Sequence, residues 1–355
     1  MKNKVYLLVL LVGLLQVLSC KKDSKQPVAN QPFKNGILSF SIEGELLNSN
    51  IDNTKNLISV VVPRTADQRS LKADFVLANQ ATATINDTPV NSGSVIDFSK
   101  VVYMTVSSAD KKQSSKFQIQ VLNDLQYLGV TGDIGAEKSL NKSYDFYYDQ
   151  FDGSQYQFIN CGPTVTTMAL KWADSTSTKK PAEARITIPD NGGWWFTGDV
   201  QKYLSDNGVN TAIDTLDDLS SVVKRNIDNN NLVIFCLDMY YVPFNDVYYQ
   251  HLEKFYTTGS TGWGHFILAK GYKQTNTGFF IETYDPYSEG KTYTVLTPGQ
   301  LEGKDRYYST SSIKTATNNW WPYAIIVAPK GHQVIASSKL KLNSFGKKIP
   351  MARGQ

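Results

Sequence analysis

Histidine is scarce in this chain of 355 residues, which contains three: His251, His265 and His332. Their positions do not match the ligand spacing of zinc-binding motifs. The sequence therefore argues against a zinc hydrolase, and we expect no metal and no cofactor. The Gly-x-Ser-x-Gly turn of many serine hydrolases is also absent from the sequence. This absence argues against a serine hydrolase of that type.

The chain also has little excess charge. The formal net charge is +4, and two of these charges, Lys2 and Lys4, belong to the N-terminal leader, which leaves +2 for the rest. No stripe of basic residues interleaved with aromatics occurs, so we do not expect nucleic-acid binding. Apolar residues make up 41% of the chain, which is enough for a core in each of two domains.

The N-terminus has the features of an export signal. Lys2 and Lys4 precede an apolar run over residues 5–18, which ends at Ser19 and Cys20. This run is too short for a permanent membrane-spanning helix and is typical of a signal peptide. Its end resembles the lipobox of bacterial lipoproteins, which implies cleavage after Ser19 and a lipid on Cys20. An ordinary signal peptide with a chance cysteine is the alternative.

The leader sets the expected location of the protein. We predict a signal peptide over residues 1–19 and a polar tether over residues 20–32, which holds the folded part away from the bilayer. The expected location is the cell envelope, with the lipid anchored in the outer membrane and the protein facing the periplasm or the surface. Disulfides can form outside the cytoplasm, so a bridge between Cys161 and Cys236 is possible.

Residues 33–124 show the period-two alternation of short β-strands. Val102, Met104 and Val106 share one face, for example, and clusters of turn formers such as residues 86–89 separate the runs. Several short strands at roughly ten-residue spacing predict an all-β sandwich. The stretch resembles the immunoglobulin-like N-terminal modules of bacterial surface lipoproteins, which implies a spacer or a binding module.

Residues 125–330 mix helical and strand patterns. Val165, Met168 and Trp172 lie on one face of a predicted helix, and strand-like runs follow the helices. Helices first and an antiparallel sheet afterwards predict an α+β domain. The last residues, 331–355, have no strong periodicity and are predicted to form a loose tail.

Cys161 is the candidate nucleophile. It stands directly before Gly162 and Pro163, where the predicted helix begins, and proline is favoured in the first turn of a helix. The sequence therefore predicts a thiol at a helix N-terminus, where the helix dipole favours the thiolate and lowers the pKa of the thiol. The thiolate is the nucleophilic form. Cys236 lies inside an apolar strand pattern, which is typical of a structural cysteine.

His265 is the candidate base. It follows Gly264 at the start of an apolar run, and Asp285 comes at the end of the next predicted strand. If the two strands form a hairpin, Asp285 lies close to His265 and can hold the imidazole in the required tautomer. An Asp-Pro pair is also an ordinary turn signal, and a lone histidine at a strand start is often structural.

Three motifs together resemble the papain-like cysteine peptidase superfamily, and most closely its bacteriocin-processing (double-glycine) group. They lie at residues 160–164 (NCGPT), 264–272 (GHFILAKGY) and 284–286 (YDP). The resemblance covers residues 124–330 and implies a helix that carries the cysteine and packs on an antiparallel sheet. The sequence has no transporter segment, so removal of a double-glycine leader is not expected.

The resemblance also implies roles for individual residues. Cys161 would be the nucleophile, His265 the base and Asp285 the orienting group. In that group a glutamine six residues before the cysteine lies in the oxyanion hole, which points to Gln155, and the nearby Gln157 is the alternative. The second oxyanion donor would be the backbone N–H of Cys161.

The sequence thus predicts an exported, lipid-anchored cysteine peptidase that hydrolyses peptide or isopeptide bonds of a peptide or protein substrate. Transfer of the acyl group to an amine, giving transpeptidation, is left open. Trp263, Trp194 and Trp195 are candidate substrate walls, with core packing as the alternative for each. The rival interpretation is a non-catalytic surface-binding lipoprotein that keeps the fold, which a disulfide between Cys161 and Cys236 would favour.

Overall fold

The computed structural model describes residues 33, 36–187 and 193–334. The predicted signal peptide, the tether with Cys20, and the predicted tail beyond residue 334 lie outside the described residues. Within the described part of the chain, no helix is long and apolar enough to cross a membrane.

The first domain consists of two sheets that face each other across one core. A three-stranded sheet has the order β1-β4-β7, and a six-stranded sheet has the order β2-β3-β9-β8-β5-β6. Neighbouring strands are antiparallel except β3 and β9, which are parallel. The strands are β1 (Ile37–Ile42), β2 (Leu47–Asp52), β3 (Leu57–Val62), β4 (Leu71–Leu77), β5 (Thr82–Ile85), β6 (Thr88–Val90), β7 (Ser94–Ile96), β8 (Val102–Ser107) and β9 (Ser114–Asn123).

The apolar residues of the alternating pattern point into the core of this sandwich, and the residues between them point outward. On β4, Leu71, Ala73 and Phe75 are buried while the residues between them are exposed. On β8, Met104 and Val106 are fully buried. Successive side chains of a strand point to opposite faces, so one face of each sheet supplies the core.

A short helix joins the two domains. Helix α1 (Asp124–Leu128) begins with a reciprocal capping box between Asn123 and Gln126 and ends at Gly129, which has a positive φ of 81°. Its Tyr127 belongs to a small apolar cluster that also contains Val61 and Leu122 of the first domain and Val295 and Leu296 of the second. The two domains therefore contact each other through this apolar cluster.

The second domain is built on a seven-stranded sheet. The order is β11-β16-β12-β13-β14-β15, every pair is antiparallel, and β10 pairs with the second half of β13. The elements are β10 (Ile134–Ser139), α2 (Cys161–Ala173), α3 (Pro181–Thr187), α4 (Thr197–Asp206), β11 (Thr211–Thr215), α5 (Leu219–Asp228), β12 (Leu232–Asp238), a 3-10 turn (Met239–Tyr241), β13 (Gly264–Thr275), β14 (Phe279–Tyr284), β15 (Arg306–Ser309), α6 (Thr310–Asn318) and β16 (Tyr323–Val327).

Helix α2 lies in the centre of the second domain. Its residues Val165, Met168 and Trp172 are at most 1% exposed, and it belongs to the same core as the sheet. Strand β12 is buried along its whole length, as expected for a central strand with a continuous apolar sequence. The predicted fold class is confirmed: a β-rich domain precedes a mixed domain in which the helix that begins at Cys161 packs on an antiparallel sheet.

Candidate active site

Cys161 is the first residue of α2, as the proline and glycine after it predict. Its side chain is largely buried, with 4% of its surface exposed. A Cβ placed on Gly162 would lie 2.6 Å from Cβ of Trp195, so the start of the helix fits closely against that tryptophan. The position requires a residue without a side chain, because packed interiors leave no room for an added carbon.

A buried guanidinium holds the loop that leads to Cys161. Arg185 of α3 donates from Nε to Oδ1 of Asn160 (2.8 Å) and from Nη2 to the carbonyl of Ile159 (2.9 Å). A third bond runs from Nη1 to the carbonyl of Gly193. Arg185 thus connects Asn160, the residue before Cys161, to the segment before Trp194.

His265 is the second residue of β13, opposite Leu237 of β12. The turn before it is held by Asp238, whose Oδ2 accepts the N–H of Gly262 (2.7 Å) and whose Oδ1 accepts the N–H of Trp263 (3.0 Å). Gly262 has a positive φ of 91°, a conformation that favours glycine. Asp238 therefore fixes the direction in which the strand carrying His265 begins.

The β13–β14 hairpin brings His265 and Asp285 together. Nε2 of His265 lies 2.7 Å from Oδ1 of Asp285, and both side chains are fully buried. Burial disfavours the imidazolium, but the charge and hydrogen bond of Asp285 outweigh it. With a smaller contribution from Cys161 they raise the pKa of His265 to about 9. The imidazolium is therefore the stable form of this ring at neutral pH.

Asp285 is itself held on both carboxylate oxygens. Oδ2 accepts hydrogen bonds from the hydroxyls of Tyr308 (2.7 Å) and Tyr256 (3.0 Å), and Oδ1 also accepts the backbone N–H of Tyr287 (2.9 Å). Burial disfavours the carboxylate, but the charge of His265 and these hydrogen bonds lower the pKa of Asp285. The Asp285 side chain therefore stays ionised and cannot rotate freely.

The thiol and the imidazole are neighbours. Cys161 is close enough to His265 to add to the increase in the pKa of the imidazole. Together with Asp285, these residues form a row in which carboxylate, imidazole and thiol follow one another. A buried thiolate next to an imidazolium is chemically suited to nucleophilic attack on a carbonyl carbon.

The glutamines are placed differently from what a six-residue spacing suggests. Gln155 is exposed and Gln157 is half-buried. Gln150 is fully buried, and its Nε2 donates to the carbonyl of Gln157 (2.8 Å). The backbone N–H of Gln150 donates to the carbonyl of Pro286 (2.8 Å), directly after Asp285. No local pattern in the sequence distinguishes Gln150 from the other two glutamines.

The three tryptophans differ in exposure. Trp263 is half-buried, and its ring contacts those of Tyr256 and Tyr287, at centroid distances of 5.7 and 5.3 Å. Trp195 is buried in the core, and Trp194 is half-buried. Trp263 and Trp194 therefore have surface that a ligand can reach, while Trp195 acts through packing.

Cys161 and Cys236 are not joined by a disulfide in the structure. Burial raises the pKa of Cys236 far above its usual value, which keeps this thiol protonated and unreactive. Among the described residues, no group of three or more His, Cys, Asp or Glu side chains is arranged to hold a metal ion.

Two family models match the chain. Residues 37–121 match the family described as SGBP, N-terminal, and residues 146–315 match the Peptidase C39-like family. A search of curated proteins finds no match.

Solved structures with some similarity include three with 12 to 13% identity. A candidate C39-like peptidase from Bacillus anthracis covers 51% of this chain and 93% of its own, with a TM-score of 0.34. The match to a candidate glycoside hydrolase from Bacteroides thetaiotaomicron covers 85% of this chain and 90% of that chain, with a TM-score of 0.23. A candidate secreted protein from Bacteroides fragilis covers 25% and 95%, with a TM-score of 0.21.

The family match covers residues 146–315. That match confirms the resemblance that the sequence motifs predict. The second domain of the chain is similar to the C39-like peptidase family, and it is preceded by a β-rich module similar to the N-terminal domain of SGBP proteins.

Proposed function

We propose that this chain is a cysteine peptidase that uses Cys161 as nucleophile, His265 as general acid and base, and Asp285 as orienting group. The observation that carries the proposal is the buried contact between His265 and Asp285, beside a cysteine at the N-terminus of α2. A helix N-terminus and an adjacent imidazolium both favour the thiolate, and the geometry supplies both.

The mechanism follows from these positions. The Cys161 thiolate attacks the carbonyl carbon of the scissile bond, and the carbonyl oxygen becomes an oxyanion. The His265 imidazolium then donates its proton to the leaving amine, and the C–N bond breaks, leaving an acyl-enzyme. The neutral imidazole next takes a proton from water, which attacks the thioester and releases the acid. Asp285 stabilises the imidazolium in each step.

The oxyanion needs hydrogen-bond donors, and we assign them to the backbone N–H of Cys161 and to a glutamine amide. Burial favours Gln150 over Gln155 for this role. The Gln150 amide is buried beside the loop that follows Asp285 and is held by the carbonyl of Gln157, whereas the exposed Gln155 is surrounded by water. A preorganised, water-excluded donor stabilises developing charge more than a solvated one.

The direct test is hydrolysis of a mixed peptide library by the soluble chain from residue 21 onward, with product peptides identified by mass spectrometry. The proposal expects cleavage products and a mass increase on Cys161 when a peptide aldehyde is added. Cys161→Ala should abolish both, while Cys236→Ser should keep both. Absence of any cleavage and of any aldehyde adduct would contradict a peptidase. Adding an amine such as glycinamide separates hydrolysis from transpeptidation.

We also propose that Cys20 carries a lipid that anchors the protein to the cell envelope. The support is the lipobox-like sequence at residues 17–20, and the tether that follows it. Expression of the full chain in a bacterial host with an alkyne fatty acid should label the protein, and Cys20→Ser should abolish the label. An unlabelled wild-type chain released in soluble form would contradict the anchor.

A further inference from the structure

Two aromatic residues with exposed surface lie close to the proposed catalytic residues. Phe158 comes three residues before Cys161, and 51% of its surface is exposed. Trp263 comes two residues before His265 and is half-buried. Three residues of chain span at most about 11 Å between Cα atoms, and two residues span at most about 7 Å. A peptide whose carbonyl carbon lies at Cys161 therefore has both rings within the length of a few of its own residues.

A continuous row of rings joins these two side chains. The Phe158 ring packs edge-on against Phe151 with the centroids 5.5 Å apart, and Phe151 packs edge-on against Tyr287 at 4.8 Å. Tyr287 in turn contacts Trp263 at 5.3 Å, and its ring lies 6.1 Å from that of His265. We call this row, which consists of Phe158, Phe151, Tyr287 and Trp263, the aromatic strip.

The aromatic strip is fixed at its centre and accessible at its ends. Tyr287 is 8% exposed, and its backbone N–H donates to Oδ1 of Asp285 (2.9 Å). Phe151 is half-buried between this centre and the exposed Phe158. Contiguous aromatic surface beside a reactive centre is typical of a binding surface, whereas a single scattered ring is not. Rings that are already held in place cost little conformational entropy when a ligand binds.

We propose that the aromatic strip is a specificity subsite, which accepts a large apolar side chain, preferably aromatic, close to the scissile bond of the substrate. This inference rests on the proposed function of Cys161. A substrate ring that packs against Phe158 loses its contact with water and gains an edge-on or offset contact with the exposed ring. Phe158 is therefore the residue through which the strip sets specificity.

The charges near the aromatic strip disfavour acidic side chains at the same position. Asp149 and Asp152 lie close to Phe151 in the sequence, and the N–H of Phe151 donates to Oδ1 of Asp149 (3.2 Å). Carboxylates at this end of the strip repel a negatively charged side chain, which would also lose its hydration against the rings. The subsite thus selects against Asp and Glu as well as for apolar rings.

The test measures kcat/KM for matched peptides, derived from a cleaved peptide by placing Phe, Leu, Ala or Asp at each position within three residues of the cleaved bond. The enzymes are the soluble wild-type chain, Phe158→Ser and Phe158→Leu. At one position we expect the wild type to prefer Phe over Ala about tenfold and to cleave the Asp peptide most slowly. Phe158→Ser should lose most of this preference, and Phe158→Leu, which keeps apolar surface, should retain most of it.

Two further measurements separate specificity from damage to the site. Alkylation of Cys161 by iodoacetamide should be unchanged in Phe158→Ser, because this reagent has no side chain to place on the aromatic strip. Thermal unfolding of this variant should change little, because the replaced side chain is exposed. Tyr103→Ser, at an aromatic residue of the first domain that is 45% exposed, is the matched control and should keep the wild-type preference.

Three outcomes would overturn the inference while leaving the proposed function intact. The first is equal kcat/KM for the Phe and Ala peptides at every position, and the second is a preference that Phe158→Ser leaves unchanged. The third is a loss of iodoacetamide reactivity equal to the loss of cleavage, because Phe158 would then act on the thiol and not on the substrate. A wild-type chain that cleaves no peptide contradicts the proposed function, and the inference falls with it.

Discussion

Nε2 of His265 and Oδ1 of Asp285 lie 2.7 Å apart, and both side chains are fully buried. His265 lies at the start of β13 and Asp285 directly follows β14, twenty residues later in the sequence. The contact fixes which ring nitrogen faces the carboxylate and leaves the other side of the ring for Cys161. Because Asp285 is also held by Tyr308 and Tyr256, its position does not depend on His265 alone.

Replacing Asp285 by Asn should strongly reduce peptidase activity while leaving the fold in place. The amide keeps the shape of the side chain but loses the charge that stabilises the imidazolium. We expect kcat to fall at least about a hundredfold in a peptide cleavage assay. Asp145→Asn, at an exposed carboxylate, is the matched control and should retain activity. Similar activities of the two variants would exclude Asp285 from the orienting role.

The pH dependence of cleavage should have its alkaline limit near pH 9. The pKa of His265 is raised to about 9, so the imidazolium persists through neutral pH and is lost as the pH rises through that value. Above it, the leaving amine has no proton donor, and kcat should decline. The measurement is kcat from about pH 6 to pH 10. A decline centred near the ordinary histidine value of about 6.5 would mean that Asp285 does not stabilise the imidazolium.

The two candidate oxyanion glutamines can be separated directly. Gln150→Ala should lower kcat about a hundredfold, as expected when one oxyanion donor is removed. Gln155→Ala should change kcat less than about twofold, because an exposed amide exchanges hydrogen bonds with water. Single-turnover kinetics with an activated ester would locate the loss in the acylation step. The reverse ranking would return the role to Gln155, as the spacing alone suggests.

His251 should make the fold sensitive to acid. Burial, with the charge of Arg306, lowers the pKa of His251 to about 4, so the folded state keeps the ring neutral, hydrogen-bonded to Tyr127 at 2.7 Å. Below about pH 6.5 the unfolded chain binds a proton that the folded chain does not, so stability falls from about pH 6.5 to pH 4.

Urea unfolding of the wild type and of His251→Gln tests this expectation. The variant lacks the titrating ring, so its free energy of unfolding should be about 1–3 kcal/mol lower than that of the wild type at neutral pH, because a buried partner is lost. The difference should narrow toward pH 4. A constant difference across this range would show that His251 does not titrate as its burial implies.

The sequence allowed the central elements to be predicted because their signals are local. Gly162 and Pro163 mark the start of α2 at Cys161, and the apolar run after His265 marks β13. A hairpin then brings the end of β14 back to the start of β13, so the neighbourhood of Asp285 and His265 follows from chain geometry.

Other parts of the site depend on long-range packing and left no local signal. Arg185 lies in a seven-residue helix within a polar stretch, and nothing in the surrounding sequence predicts that it binds Asn160. The sequence does not distinguish Gln150 from Gln155 as a candidate oxyanion donor. The two side chains differ in burial, which no local pattern predicts. Helix α6 has only a weak signal in the sequence, because its buried face consists of Ile313, Ala316 and hydroxyl residues, which give a weak apolar pattern.

The most direct test of a catalytic Cys161 is the pH dependence of its alkylation by iodoacetamide in the soluble chain, compared with His265→Ala. We predict a wild-type thiol that reacts rapidly below about pH 7, and a variant in which this reactivity is lost, because the ion pair with the imidazolium no longer forms. A wild-type thiol with a midpoint near about 8.5, unchanged in His265→Ala, would contradict the account.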